Sequence, residues 1–174
     1  MDRPAAVVLG LGNDLLTDDG FGPAVAAACL RELAGDPSVQ VRSASVAGFH
    51  LLDLLAGFDR ALIVDVVQTG TRPAGTILEC PLEKASAGRT LGGSHQMDLA
   101  TALSLGRRVG LPLPSTVRLL VAEAKDLETF CEALSPELAA AVPLAAARVR
   151  QWVETGDLRA EAPAWRRDGE RTTV

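Results

Sequence analysis

The chain has 174 residues, 48% hydrophobic and 22% charged, enough for one ordinary core and a single globular domain. A net charge of −5, with basic residues adjacent only at Arg107-Arg108 and Arg166-Arg167, argues against a nucleic-acid partner. The apolar run 138–149 is broken by Pro143 and no basic leader precedes an apolar stretch, so the reading is a cytoplasmic chain with no membrane partner. Cys29, Cys80 and Cys131 form no CxxC pair and fit reduced thiols better than disulfides or a zinc knuckle.

Val7-Val8-Leu9 reads as a short buried strand, and Gly10 and Gly12 then permit close approaches that a side chain would hinder. The following helix must begin near residues 18–22, because Pro23 fits only its first turn. Residues 24–33 carry apolar positions at helical spacing and stop at Gly35. Residues 39–46 alternate weakly as a strand, residues 49–55 suit a short helix closed by Gly57, and Ala61-Leu62-Ile63-Val64 is a buried strand ending at Asp65. A fourth strand over residues 75–80 follows a connection too short for a parallel crossover, so it is antiparallel to strand three or lies elsewhere in a mixed sheet. A helix over 97–109, a fifth strand over 117–122 and a long helix from Ser135-Pro136-Glu137 to about residue 153, kinked at Pro143, complete the pattern. Residues 1–157 read as one domain and 158–174 as a frayed tail.

In open α/β sheets, sites form beyond the carboxyl ends of the strands. Asp19 follows strand one, Asp65 ends strand three, and His95 lies in the flexible run Gly92-Gly93-Ser94-His95 before a helix. Two carboxylates and an imidazole suit a divalent transition metal with positions left open for substrate or water. Structural roles compete with this reading. Asp18 or Asp19 could cap the first helix, Asp65 could bond backbone amides, and His95 could be a helix-start hydrogen bonder. His50, between Phe49 and Leu51, reads as a partly buried structural residue. A Ser94 or Cys nucleophile is disfavoured because adjacency in sequence does not assemble a triad. The first turn lacks the third glycine of a dinucleotide fingerprint and the lysine of a P-loop.

The segment Gly10-Leu11-Gly12-Asn13-Asp14-Leu15-Leu16-Thr17-Asp18-Asp19-Gly20-Phe21-Gly22 resembles the N-terminal signature of the hydrogenase maturation proteases. Ala61-Leu62-Ile63-Val64-Asp65, Ser94-His95-Gln96-Met97-Asp98-Leu99 and Ala133-Leu134-Ser135-Pro136-Glu137 are similar to three further segments of that family, so the resemblance spans roughly residues 5–153. It implies a three-layer α/β sandwich whose twisted five-stranded mixed sheet, with strand four antiparallel, is flanked by helices. It also implies an endopeptidase that removes the C-terminal extension of a nickel-iron hydrogenase large-subunit precursor after nickel insertion. Asp19, Asp65 and His95 carry over as the metal-binding and catalytic trio; which group takes the proton of the attacking water is left open between Asp19 and Asp65, with Asp18 a weaker candidate whose helix-capping role is favoured. The nickel is expected to arrive in the substrate, other divalent metals being able to substitute in vitro, and water would attack the scissile peptide. A non-catalytic nickel chaperone of the same precursor, or another amide hydrolase on a similar fold, is the alternative reading.

Overall fold

The computed structural model describes residues 4–45, 50–82 and 99–158. Along the chain run β1 (Ala6–Leu11), a 3-10 turn (Thr17–Gly20), α1 (Phe21–Glu32), β2 (Val39–Ala44), α2 (His50–Leu55), β3 (Arg60–Val67), β4 (Ile77–Pro81), α3 (Leu99–Arg108), β5 (Thr116–Glu123) and α4 (Pro136–Thr155). The strands form one sheet in the order β2-β1-β3-β5-β4. Pairs β1–β2, β1–β3 and β3–β5 are parallel, and β4 runs antiparallel to β5. The mixed sheet with an antiparallel fourth strand is as expected, and the open question of its neighbour is settled. Residues 68–76 carry β4 past the position beside β3, which β5 fills, to the edge of the sheet.

Alternation along the strands builds three layers. Ala6, Val8, Leu62, Val64, Leu120 and Ala122 pack with Phe21 and Val25 of α1 and with Leu138, Val149 and Trp152 of α4. Their neighbours Val7, Leu9, Ala61, Ile63, Leu119 and Val121 pack with Leu51 and Leu55 of α2 and with Ala102 and Leu103 of α3. Burying a side chain of this size stabilises by about 1.5–3 kcal/mol, so both faces hold their helices firmly. Because β2 and β3 lie on opposite sides of β1, right-handed crossovers place α1 and α2 on opposite faces. The winding reverses there, opening a crevice beyond the carboxyl ends of β1 and β3.

Two glycines set how closely α1 approaches that crevice. A Cβ on Gly10 would overlap the carbonyl oxygen of Gly22. A Cβ on Gly22 would overlap that of Leu11 and come within 2.7 Å of that of Val64. Pro23 sits in the first turn of α1, as the sequence requires. Pro143 does not divide α4, which runs on through it as one helix, although Pro143 has no N–H to donate to the preceding turn. The C-terminus of α4 is held by Arg60, whose guanidinium donates to the carbonyls of Trp152 (3.0 Å) and Val153 (2.7 Å) and lies over the Trp152 ring.

Three expectations need adjustment or fall elsewhere. His50 opens α2 and is exposed, because the buried face of that short helix is taken by Leu51, Leu52 and Leu55. Leu158, the first residue of the expected tail, packs into the core beside α4, and residues 159–174 lie outside the described residues. So do Phe49, Met97 and Asp98, expected at the starts of α2 and α3.

Candidate active site

The loop after β1 turns twice before α1 begins. Gly12 adopts φ +138, where a Cβ would overlap the carbonyl oxygen of Asp19. Thr17 is held at φ +30, a conformation a β-branched residue adopts only under constraint. The constraint comes from the β5–α4 loop: the Thr17 amide donates to Cys131 O (2.8 Å) and its hydroxyl to Thr129 O (2.7 Å).

Asp18 and Asp19 are adjacent and have different roles. Asp18 is fully buried, its Oδ2 accepting from the amides of Lys125 (2.8 Å) and Asp126 (3.0 Å) and its Oδ1 from that of Ser135 (2.8 Å). It therefore clamps the β1–α1 loop to the β5–α4 loop. The favoured capping role is corrected: the N-cap of α1 is Gly20, with no side-chain cap bond, and the clamp ends on Ser135, itself the N-cap of α4. Asp19 does not cap α1 either. Its Oδ2 accepts from the backbone amide of Asn13 (2.7 Å). Burial raises its carboxyl above the usual range, opposed by that one amide.

Asp65 lies one residue past the last pairing of β3 with β1, Gly10 with Val64. By alternation it shares the face of Ile63 and Val67, the face that α2 and α3 cover. Its Oδ1 accepts from the amide of Val66 (2.8 Å). Burial pushes its carboxyl up to about 7; the Val66 amide works against the rise, and the negative charge of Asp19 adds to it. Two of the three expected residues thus meet in the crevice at the switch point. His95 lies outside the described residues, as do Gly92, Gly93 and Ser94.

Among the described residues, the hydrogen bonds to Asp19 and Asp65 come from backbone amides alone, leaving lone pairs for a cation or a proton. Two partly buried carboxylates that repel one another, one of them half-protonated near neutrality, are a donor set that a divalent ion relieves. Cys29 finds no support as a nucleophile: its thiol is buried and pushed up to about 11, by burial and then by Glu32.

One carboxylate escaped the sequence reading. Glu123, at the end of β5, is buried, and its Oε1 accepts from the amides of Thr69 (2.7 Å) and Gly70 (2.7 Å). Its Oε2 accepts from the Thr69 hydroxyl (2.8 Å), so it fixes the loop that leaves β3 just after Asp65. The signal was there, since an acid ends the apolar run of residues 119–122 much as Asp65 ends that of 61–64.

This is a doubly wound α/β protein with an acidic site at its switch point, and comparison with known proteins gives that class a family. The family model described as hydrogenase maturation protease matches residues 23–152. The chain is 29% identical over 139 residues to the hydrogenase expression/formation protein HupD of Thiocapsa roseopersicina, covering 78% of this chain and 61% of that protein. It is 32% identical over 105 residues to the hydrogenase 2 maturation protease of Escherichia coli, covering 60% of this chain and 64% of that one. The solved structure of the hydrogenase maturating endopeptidase HybD from Escherichia coli superposes with a TM-score of 0.73 at 29% identity, over 89% of this chain and 94% of that one. The chain belongs to the hydrogenase maturation protease family. It spans less than two thirds of the length of the two curated relatives. No helix among the described residues is long and apolar enough to cross a membrane.

Proposed function

We propose that this protein is a cytoplasmic endopeptidase that removes the C-terminal extension of a nickel-iron hydrogenase large-subunit precursor once nickel has been inserted. Family membership supports the reaction class, and the observation that carries the site is the Asp19–Asp65 pair, in which the charge of one carboxylate helps hold a proton on the other. Asp19, Asp65 and His95 engage the nickel carried by the precursor, which is substrate rather than resident cofactor. Bound there, the ion offers Lewis-acid polarisation of a nearby carbonyl.

The chain's own contribution is placement. Gly10 and Gly22 bring α1 against β1, Asp18 locks the loop that carries Asp19, and Glu123 fixes the chain leaving β3. A partner docked against so constrained a pair presents its scissile peptide in one orientation, which is where an entropic contribution to rate arises. Incubating the purified chain with nickel-loaded and nickel-free precursor and weighing the products by mass spectrometry tests the proposal. Loss of the C-terminal extension from the nickel-loaded form alone is expected. Stable binding without cleavage would replace the endopeptidase by the chaperone reading, and cleavage of both forms would remove nickel as the checkpoint.

A further inference from the structure

Beside Asp19, the β1–α1 and β5–α4 loops are joined by a parallel bridge between Leu16 and Cys131. The Cys131 amide donates to Leu15 O (3.0 Å) and the Thr17 amide to Cys131 O (2.8 Å). One residue before each bridge partner, the backbones of Leu15 and Phe130 run side by side, and both residues are exposed, at 49% and 81%. A single exposed apolar side chain is ordinary. These two stand on loops fixed by the bridge, by Thr17 and by the buried Asp18 carboxylate. Leu15 also belongs to the turn whose next residue, Leu16, accepts the Asp19 amide (2.8 Å), so the exposed pair adjoins the candidate site.

The surrounding charge is of one sign. Residues 13–20 and 126–135 contain six acidic residues and neither lysine nor arginine. The Asp18 carboxylate is taken up by backbone amides and that of Asp126 by those of Glu128 and Thr129, whereas Asp14, Glu128 and Glu132 are exposed. Lys125, at the border, is paired with Glu137 at 2.8 Å. An apolar pair inside an acidic rim complements an apolar side chain flanked by cations.

We propose that Leu15 and Phe130 form the docking strip for the precursor, receiving an apolar side chain flanked by lysine or arginine, and that Glu128 and Glu132 meet those cations. This rests on the endopeptidase reading for the identity of the partner. The strip grips the partner without touching the reacting atoms, so it governs affinity rather than turnover.

The test measures binding of nickel-loaded large-subunit precursor by calorimetry, and cleavage in parallel, for the wild-type chain, Phe130→Ser, Leu15→Ser/Phe130→Ser and Glu128→Lys/Glu132→Lys. Phe130 is 81% exposed, so its replacement leaves no cavity, and an unchanged melting temperature verifies that. Each variant is expected to weaken binding by about tenfold or more and to raise KM with kcat retained, and wild-type affinity is expected to fall as salt rises. Wild-type affinity in all variants overturns the proposal, and so does a loss of kcat at constant KM. A wild-type chain that binds precursor tightly and never cleaves it sinks the endopeptidase reading while the binding comparison still decides the docking strip.

Discussion

Asp19, in the 3-10 turn before α1, and Asp65, in β3, enter one crevice, and the negative charge of the first adds to burial in holding the second carboxyl near a pKa of about 7. The folded state therefore binds a proton on Asp65 that the unfolded chain, with its ordinary value of 3.8, has already released. Between those two values stability falls as pH rises, and above the upper one the cost is present in full. Asp65→Asn keeps an acceptor for the Val66 amide and removes the charge. Its stability relative to wild type should be near equal at about pH 4 and a few kcal/mol higher at about pH 8, read from urea unfolding. A pH-independent difference would show that Asp65 is not held protonated by its surroundings.

Two isosteric substitutions at adjacent positions should separate fold from function. Asp18→Asn turns an amide group toward N–H donors that the carboxylate now satisfies, so it should cost about 3 kcal/mol in denaturant unfolding. Asp19→Asn retains an acceptor for Asn13 and relieves repulsion on Asp65, so stability should hold or rise while precursor processing is lost. Equal destabilisation by both would mean that Asp19 is a second structural clamp.

The spacing of β1 and α1 gives a steric prediction. Gly22→Ala places a methyl group against the carbonyl oxygens of Leu11 and Val64, backbone atoms that cannot move aside cheaply. A loss of more than about 2 kcal/mol is expected, with processing impaired even in the folded fraction because α1 carries the loop of Asp19 with it. Gly35→Ala is the control: it has φ +88 and open space around it, so only the backbone term of about 1 kcal/mol applies. Thermal melts of the two variants, compared side by side, decide the point.

Much of this arrangement was legible in the chain because its causes are local. The apolar run ending at Asp65 and the glycines around residues 10–22 place the crevice without reference to distant residues, and Pro23 fixes the start of α1. The division of labour between Asp18 and Asp19 was not legible. It depends on amides 107 and 117 residues away, at Lys125 and Ser135, which no local pattern connects to the first loop. The same holds for Glu123, whose partners Thr69 and Gly70 lie 54 and 53 residues earlier. The edge position of β4 was illegible for a related reason. A short connection excludes a parallel crossover but leaves the neighbouring strand open until β5 takes the inner place.

His95→Ala should abolish processing of nickel-loaded precursor while leaving the unfolding midpoint close to wild type, the outcome expected if the imidazole serves as the proposed ligand and not as core packing. α3, which begins four residues after His95 in the chain, packs on the same face of the sheet as Asp65. Processing at the wild-type rate would make His95 a structural residue and reduce the site to its two carboxylates.

Metal affinity of the free chain should be weak and should depend on pH in one direction. A divalent ion can use the Asp65 carboxylate only after displacing its proton, and that carboxyl is held near a pKa of about 7. At about pH 6 roughly a tenth of the chains have Asp65 ionised, and at about pH 8 most do, so nickel should bind about tenfold more tightly at the higher value, with titration of any imidazole ligand adding to the trend. Two carboxylates and one imidazole supply few ligands for tight retention, so thiolates from the precursor would add the remaining affinity, much as linked sites do. Calorimetric titration of the purified chain with nickel chloride at the two pH values measures both quantities. Stoichiometric metal that survives dialysis, with an affinity indifferent to pH, would identify a resident metal centre and displace the view of nickel as part of the substrate.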